Sequence, residues 1–154
     1  GGDGSWSANG RYFISSQIQF TSQTLAPRHL LLFDTREETI QDLSSGRFLE
    51  DLNPSFSPFG MSVAYSRKSL DPENWTPGRQ LWVMDIESGE NQQLTDSVDY
   101  HHSSFTWHPD GEELTYVRYN QATLSEPPEI WMINKDGTGI IRLIINGYAP
   151  GWIP

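Results

Sequence analysis

The 154-residue sequence contains no cysteine, which excludes disulfides, thiolate metal sites and cysteine nucleophiles. Their absence fits cytoplasm and a bacterial envelope compartment equally well. Basic residues are scarce: ten Lys and Arg face twenty Asp and Glu, a formal net charge of −10. A surface of that sign repels phosphate backbones and anionic lipid, and no basic stretch relieves it, so nucleic-acid and membrane-surface roles are not expected. No apolar run approaches the length of a membrane-spanning helix, so no membrane insertion is expected either. The sequence opens Gly1-Gly2-Asp3, with neither an initiating Met nor a signal peptide. Either the native start was processed or the sequence is a piece of a longer one.

What is present is repetition. Trp6-Ser7-Ala8-Asn9-Gly10, Phe56-Ser57-Pro58-Phe59-Gly60 and Trp107-His108-Pro109-Asp110-Gly111 each place an aromatic four residues before a turn glycine, and those glycines are spaced by 50 and then 51 residues. A second marker follows each: Leu30-Leu31-Leu32-Phe33-Asp34, Leu81-Trp82-Val83-Met84-Asp85 and Ile130-Trp131-Met132-Ile133-Asn134. Two markers in fixed order at a constant period indicate repeated supersecondary units. The 13 Gly and 10 Pro fall between short apolar runs, the pattern of many strands joined by turns.

The last unit reads most clearly. Ser103 to Trp107 predicts a strand ended by Pro109-Asp110-Gly111, where Gly supplies positive φ. Glu113 to Arg118 returns, Glu129 to Ile133 forms a third strand after a Pro-rich loop, Asn134 to Gly139 is a hairpin turn, and Ile140 to Ile145 is the fourth strand. The third strand of each unit is almost continuously apolar, which implies burial on both faces of its sheet. Trp82 and Trp131 are accordingly expected to lie buried between sheets. A four-stranded sheet covered on both faces by its own kind is a propeller blade; a β-sandwich also uses many strands, but the regular period argues against it.

Trp107-His108-Pro109-Asp110-Gly111, Leu114-Thr115-Tyr116-Val117 and Ile130-Trp131-Met132-Ile133 together resemble the TolB-type, or PD40 (WD40-like), β-propeller repeat. The second unit matches through Phe56-Ser57-Pro58, Leu81-Trp82-Val83-Met84-Asp85 and Leu94-Thr95. The first departs from the pattern, with Ala8-Asn9 where Pro-Asp is usual. The resemblance covers nearly the whole chain and implies a fold rather than an activity, since such blades occur in envelope proteins, peptidase gating domains and sensor modules. It also implies a periplasmic or other extracytoplasmic setting.

The expected architecture is all-β: a β-propeller segment of three four-stranded antiparallel blades over residues 1–50, 51–101 and 102–147, with 148–154 starting the first strand of a fourth. Trp152 falls where Trp6, Phe56 and Trp107 sit. Three blades do not close a ring, because propellers typically carry about four to eight. The expectation is a fragment of a larger ring; the alternative is a homodimer completing a six-bladed ring.

Strand order fixes which loops share a face. Connections from first to second and third to fourth strands are short. Those from second to third strands are long (Ser16 to Arg28, Arg67 to Arg79, Tyr119 to Pro128), and so are the joins Ser44 to Asn53 and Asp96 to Ser103. Long loops on one rim of a rigid scaffold are where binding usually resides, although drift in tolerant surface loops gives the same pattern. The candidate partner-binding residues there are Trp75, Tyr100, His101, His102 and Tyr119, for a protein or small ligand. Trp75 either anchors a partner or folds back to fasten its own loop. The rim is acid-rich, with Glu50, Asp51, Asp71, Glu73, Asp99 and Glu126.

No catalytic residue, cofactor or metal is expected. Adjacent His101 and His102 on a strand point to opposite faces, so at most one suits a given ion. Asn74-Trp75-Thr76 matches a glycosylation sequon common by chance. His108 and His29 read as packing or capping groups, Ser7 and Ser57 lack the strand-to-helix setting of a nucleophile elbow, and Asn134 to Gly137 lacks the acids of a calcium loop. The functional expectation is a non-enzymatic interaction or ligand-sensing module. The alternative is the gating or substrate-access propeller of a serine peptidase or a polysaccharide-processing enzyme.

Overall fold

The computed structural model describes residues 4–20, 25–44 and 46–152. Each repeat folds as one antiparallel four-stranded sheet with its strands in sequence order. The first sheet comprises β1 (Gly4–Trp6), β2 (Tyr12–Phe20), β3 (Leu25–Asp34) and β4 (Thr39–Asp42). The second comprises β5 (Leu49–Phe56), β6 (Ser62–Ser69), β7 (Gln80–Asp85) and β8 (Asn91–Gln93). The third comprises β9 (Tyr100–Trp107), β10 (Glu113–Asn120), β11 (Glu129–Asn134) and β12 (Ile141–Ile145). There is no helix among the described residues.

The repeated motifs build repeated local geometry. Gly10, Gly60 and Gly111 all carry positive φ (68°, 89° and 75°), which a side chain would resist. The residue after each motif aromatic closes the same hairpin: Ser7 N donates to Tyr12 O, Ser57 N to Ser62 O and His108 N to Glu113 O. The third strands end in the same way twice, with Asp34 Oδ1 accepting Arg36 N at 2.9 Å and Asp85 Oδ1 accepting Glu87 N at 3.1 Å. The unit ends also agree: Ser44 Oγ and Thr95 Oγ1 accept the amides of Leu30 and Leu81 at 2.8 and 2.9 Å.

Two apolar seams join the sheets. Ile14, Leu30 and Leu32 of the first sheet meet Phe56, Val63, Tyr65 and Met84 of the second. Ala64, Leu81, Val83 and Leu94 of the second meet Trp107, Leu114, Tyr116 and Ile133 of the third. Consecutive residues Val63, Ala64 and Tyr65 alternate between seams, which is why the strand cannot alternate polar with apolar. Each buried Val, Leu, Ile, Phe or Met of these seams stabilises the fold by about 1.5–3 kcal/mol. Polar stitches cross the same seams: Phe56 N donates to Ser5 Oγ and Trp107 Nε1 to Ser55 O, both at 3.0 Å. The outer strands β4, β8 and β12 are exposed throughout.

Several details differ from the sequence reading. The first unit's stretch from Ser16 to Arg28 is mostly strand, because β2 runs to Phe20 and β3 starts at Leu25; residues 21–24 lie outside the described set. Trp82 and Trp131 are only half-buried, packed on the flanks of the seams. The inner strands β5 and β9 begin earlier than expected, and each carries a bulge at equivalent positions, Asn53 (φ 56°) and Ser104 (φ 48°). After β12 the amides of Asn146 and Gly147 both bond Pro128 O, and Trp152 arrives edge-on against His108 with ring centroids 4.3 Å apart. That is where a fourth unit starts.

Candidate binding rim

The antiparallel order places the segments 70–79 and 121–128, and the joins before β5 and β9, on one rim. Tyr100, His101 and His102 open strand β9 there rather than lying in the preceding loop, and β9 pairs them with Asn120, Tyr119 and Arg118 of β10. The rings of His101 and Tyr119 lie 4.9 Å apart. Tyr100 Oη donates to Glu126 Oε2 at 3.0 Å, and Asn120 Nδ2 donates to the same oxygen at 3.0 Å. Asn120 Oδ1 accepts the amides of Ala122 and Thr123 and shapes the loop that carries Glu126. Beside Tyr119, Asn120, Leu124, Glu126, Pro128 and Tyr148 opens a cleft of about 460 Å³.

His102 does not belong to the accessible group. It is 1% exposed, packs on Tyr116 at 5.5 Å, and its Nδ1 lies 3.1 Å from the carbonyl of Arg79, to which it donates. Burial pushes its pKa down to about 4, so the ring is neutral. His101 is also pushed down to about 4, by burial first and then by the nearby charges of Arg79 and Lys68. Its Nδ1 faces Arg79 N at 3.4 Å. The two rings meet different neighbours, His101 packing on Tyr119 and His102 on Tyr116. Among the described residues no three His, Asp or Glu side chains gather closely enough to hold a metal.

Trp75 stands in the 70–79 segment. It is 55% exposed and Lys68 Nζ lies 4.7 Å from its ring centroid. Lys68 also donates to Pro77 O at 3.3 Å, and burial together with Arg79 lowers its pKa. The segment is fastened to the third sheet by its backbone: Gly78 N donates to Val98 O, and a Cβ on Gly78 would overlap the carbonyl of Tyr100.

The acid-rich reading of this rim needs correction at two positions. Asp51 is wholly buried, with Arg67 Nε and Nη2 donating to its two oxygens at 2.8 Å and Ser44 Oγ adding a third bond at 2.6 Å. Glu50 is paired with Arg79. Alternation along a strand concealed both partners, because Arg67 and Arg79 lie 16 and 29 residues away.

The chain matches no protein-family model. It is 24% identical over 149 residues to dipeptidyl-peptidase 5 of Porphyromonas gingivalis, which covers 94% of this chain and 21% of that protein. TolB of Acinetobacter baumannii superposes with a TM-score of 0.66 at 14% identity, over 96% of this chain and 33% of the other. This is a TolB-like β-propeller fold. Oligogalacturonate lyase of Vibrio parahaemolyticus superposes equally well, with a TM-score of 0.66 at 12% identity, over 92% of this chain and 40% of that one. The chain therefore spans about a fifth of its peptidase relative and a third to two fifths of these solved propellers. TolB, a dipeptidyl peptidase and an oligogalacturonate lyase share the architecture, so the fold leaves enzyme status open.

Proposed function

We propose that the chain is a non-enzymatic interaction module that takes a protein or small ligand on its long-loop rim. The observation carrying this reading is Trp75, whose ring stays 55% exposed with Lys68 beside it instead of folding down onto its loop. A large, stiff aromatic held in water is costly unless a partner covers it. Tyr100 and Tyr119 supply further aromatic area across the seam, and the cleft beside Tyr119 gives a ligand depth. Asp71, Glu73, Asp99 and Glu126 favour a cationic partner, so association is faster at low salt.

The test is a partner screen followed by substitution. Trp75→Ala and Tyr119→Ala weaken binding, while changes at Glu90 or Lys135 on the opposite rim leave it unchanged. Sensitivity of the opposite rim, or indifference to both aromatics and to salt, overturns the reading.

A second reading is supported by the 24% likeness to a dipeptidyl-peptidase along 94% of the chain. In it the same rim screens access to a peptidase site carried by another domain. The sequence flanking residues 1–154 in the source protein decides: an α/β-hydrolase domain supports this reading, and its absence removes it.

A further inference from the structure

The internal repeat supplies its own control for one side chain. Arg67 and Arg118 occupy the same position of the second and third units, 51 residues apart. Each sits opposite the inner strand in the same register, Arg67 against Asp51 and Arg118 against His102. Each lies above an equivalent Trp, with the guanidinium carbon 5.0 Å from the ring centroid of Trp82 or of Trp131. The counter-charge differs. Arg67 is saturated by the two oxygens of Asp51. Arg118 faces a neutral, buried imidazole, its Nε is buried without a partner, and among the described residues it makes no hydrogen bond or ion pair.

The surroundings hold this cation in place without neutralising it. Tyr100 lies over it with 3.6 Å between guanidinium carbon and ring centroid, so the plane is clamped between two aromatic rings. Glu129, opposite Arg118 on β11, is committed to Trp131 Nε1 at 2.8 Å and to Arg142 at 2.9 Å. Glu126 is committed to Tyr100 and Asn120. A fixed guanidinium with free donors matches the geometry of a carboxylate, and stacking leaves its edge as the only polar surface on offer.

We propose that Arg118 is a receptor for a single carboxylate of a ligand, at the seam between the second and third blades. The proposal deepens the rim reading and rests on it, since Tyr100 serves both. A monoanion is favoured over phosphate because Glu129 stands opposite Arg118 and Glu126 is bonded to the Tyr100 that covers it, and a second negative charge meets their repulsion. The ligand carboxylate would occupy the role that Asp51 plays one unit earlier.

The test is titration of the whole chain with acetate, then with an N-acetylated dipeptide as free acid and as amide, read by shifts of the Trp131 indole N–H and the Arg118 Nε–H in nitrogen-correlated NMR. Saturable shifts are expected with acetate and with the acid, and none with the amide. A response to the dipeptide acid clearly stronger than to acetate identifies a chain terminus as the source; equal responses identify a free small carboxylate. Arg118→Gln should weaken binding about tenfold or more. His102→Asp should abolish binding with Arg118 retained, by supplying the internal carboxylate, whereas His102→Gln should leave it intact. No response to acetate or acid, an equal response to the amide, or stronger binding of inorganic phosphate overturns the receptor. A rim partner that still needs Trp75 and Tyr119 in that case leaves the rim reading standing.

Discussion

The carboxylate of Asp51 and the guanidinium of Arg67 face each other as two forks, with both Nε and Nη2 of Arg67 donating at 2.8 Å from β6 to its neighbour β5 within the second sheet. Asp51 is wholly buried, and Ser16 Oγ bonds its carbonyl at 2.8 Å. Removing one partner strands the other charge in the interior. Asp51→Ala should therefore cost about 3–5 kcal/mol in urea unfolding. The double variant Asp51→Leu with Arg67→Met should cost distinctly less than Asp51→Ala alone. A double variant as unstable as the single one would mean that the ion pair itself, not its disruption, carries the stability.

One buried histidine and one half-buried neighbour make the fold acid-sensitive in a defined window. His101 and His102 titrate at about 4 when folded, against an ordinary value of 6.5. The unfolded chain binds more protons between those values, so stability is full above about 6.5 and falls as the pH drops towards 4. His102, the more deeply buried, contributes at most about 3 kcal/mol to this loss. Urea midpoints measured at several pH values should decline through this window, and His102→Gln should flatten the slope. Asp34, held at about 2 chiefly by its hydrogen bond from Arg11, adds its own loss only below about pH 4. A midpoint unchanged between pH 7 and 4 would show that both rings are reached by solvent.

Trp107 joins the third sheet to the second through one hydrogen bond and a large buried ring. Trp107→Phe keeps most of the packing and loses the bond to Ser55 O, at a cost of about 1 kcal/mol. Trp107→Ala opens a cavity and should cost about 3–5 kcal/mol. Equal costs for the two would assign the effect to the indole N–H alone.

Gly78 sits where the 70–79 segment meets the start of β9, with no room for a side chain against the Tyr100 carbonyl. Gly78→Ala should destabilise by about 3 kcal/mol and shift the Tyr100 and His101 resonances. Gly10→Ala meets open space and suffers only from its positive φ, so its cost should be smaller and confined to its hairpin. Similar NMR perturbations from both would contradict the close approach at Gly78.

The sheets and their order were legible because they rest on local, periodic signals: an aromatic, a turn glycine, an apolar strand and an Asp, repeated. The rim residues were legible only as a neighbourhood. His102 belongs to that neighbourhood by sequence yet faces the seam, because an alternating strand that starts at Tyr100 sends every second side chain inward. The Asp51–Arg67 pair was hidden because charge in sequence reads as surface, and burial of a charge depends on a partner from another strand. The unpaired state of Arg118 was out of reach for the same reason: it becomes visible only when the register sets Asp51 and His102 at one position.

The three outer strands are not equivalent. β4 (Thr39–Asp42) and β8 (Asn91–Gln93) show water mainly polar side chains, whereas β12 exposes Ile141, Leu143, Ile144 and Ile145 beside a free row of backbone donors and acceptors. Its one charge, Arg142, is tied down by Glu129. A short, apolar, nearly chargeless edge is a template for intermolecular strand addition. Concentrated solutions of the chain should therefore thicken and precipitate through this edge, and Leu143→Lys should suppress it. Its colloidal weak point is one five-residue strand, which a net charge of −10 spread elsewhere does not shield.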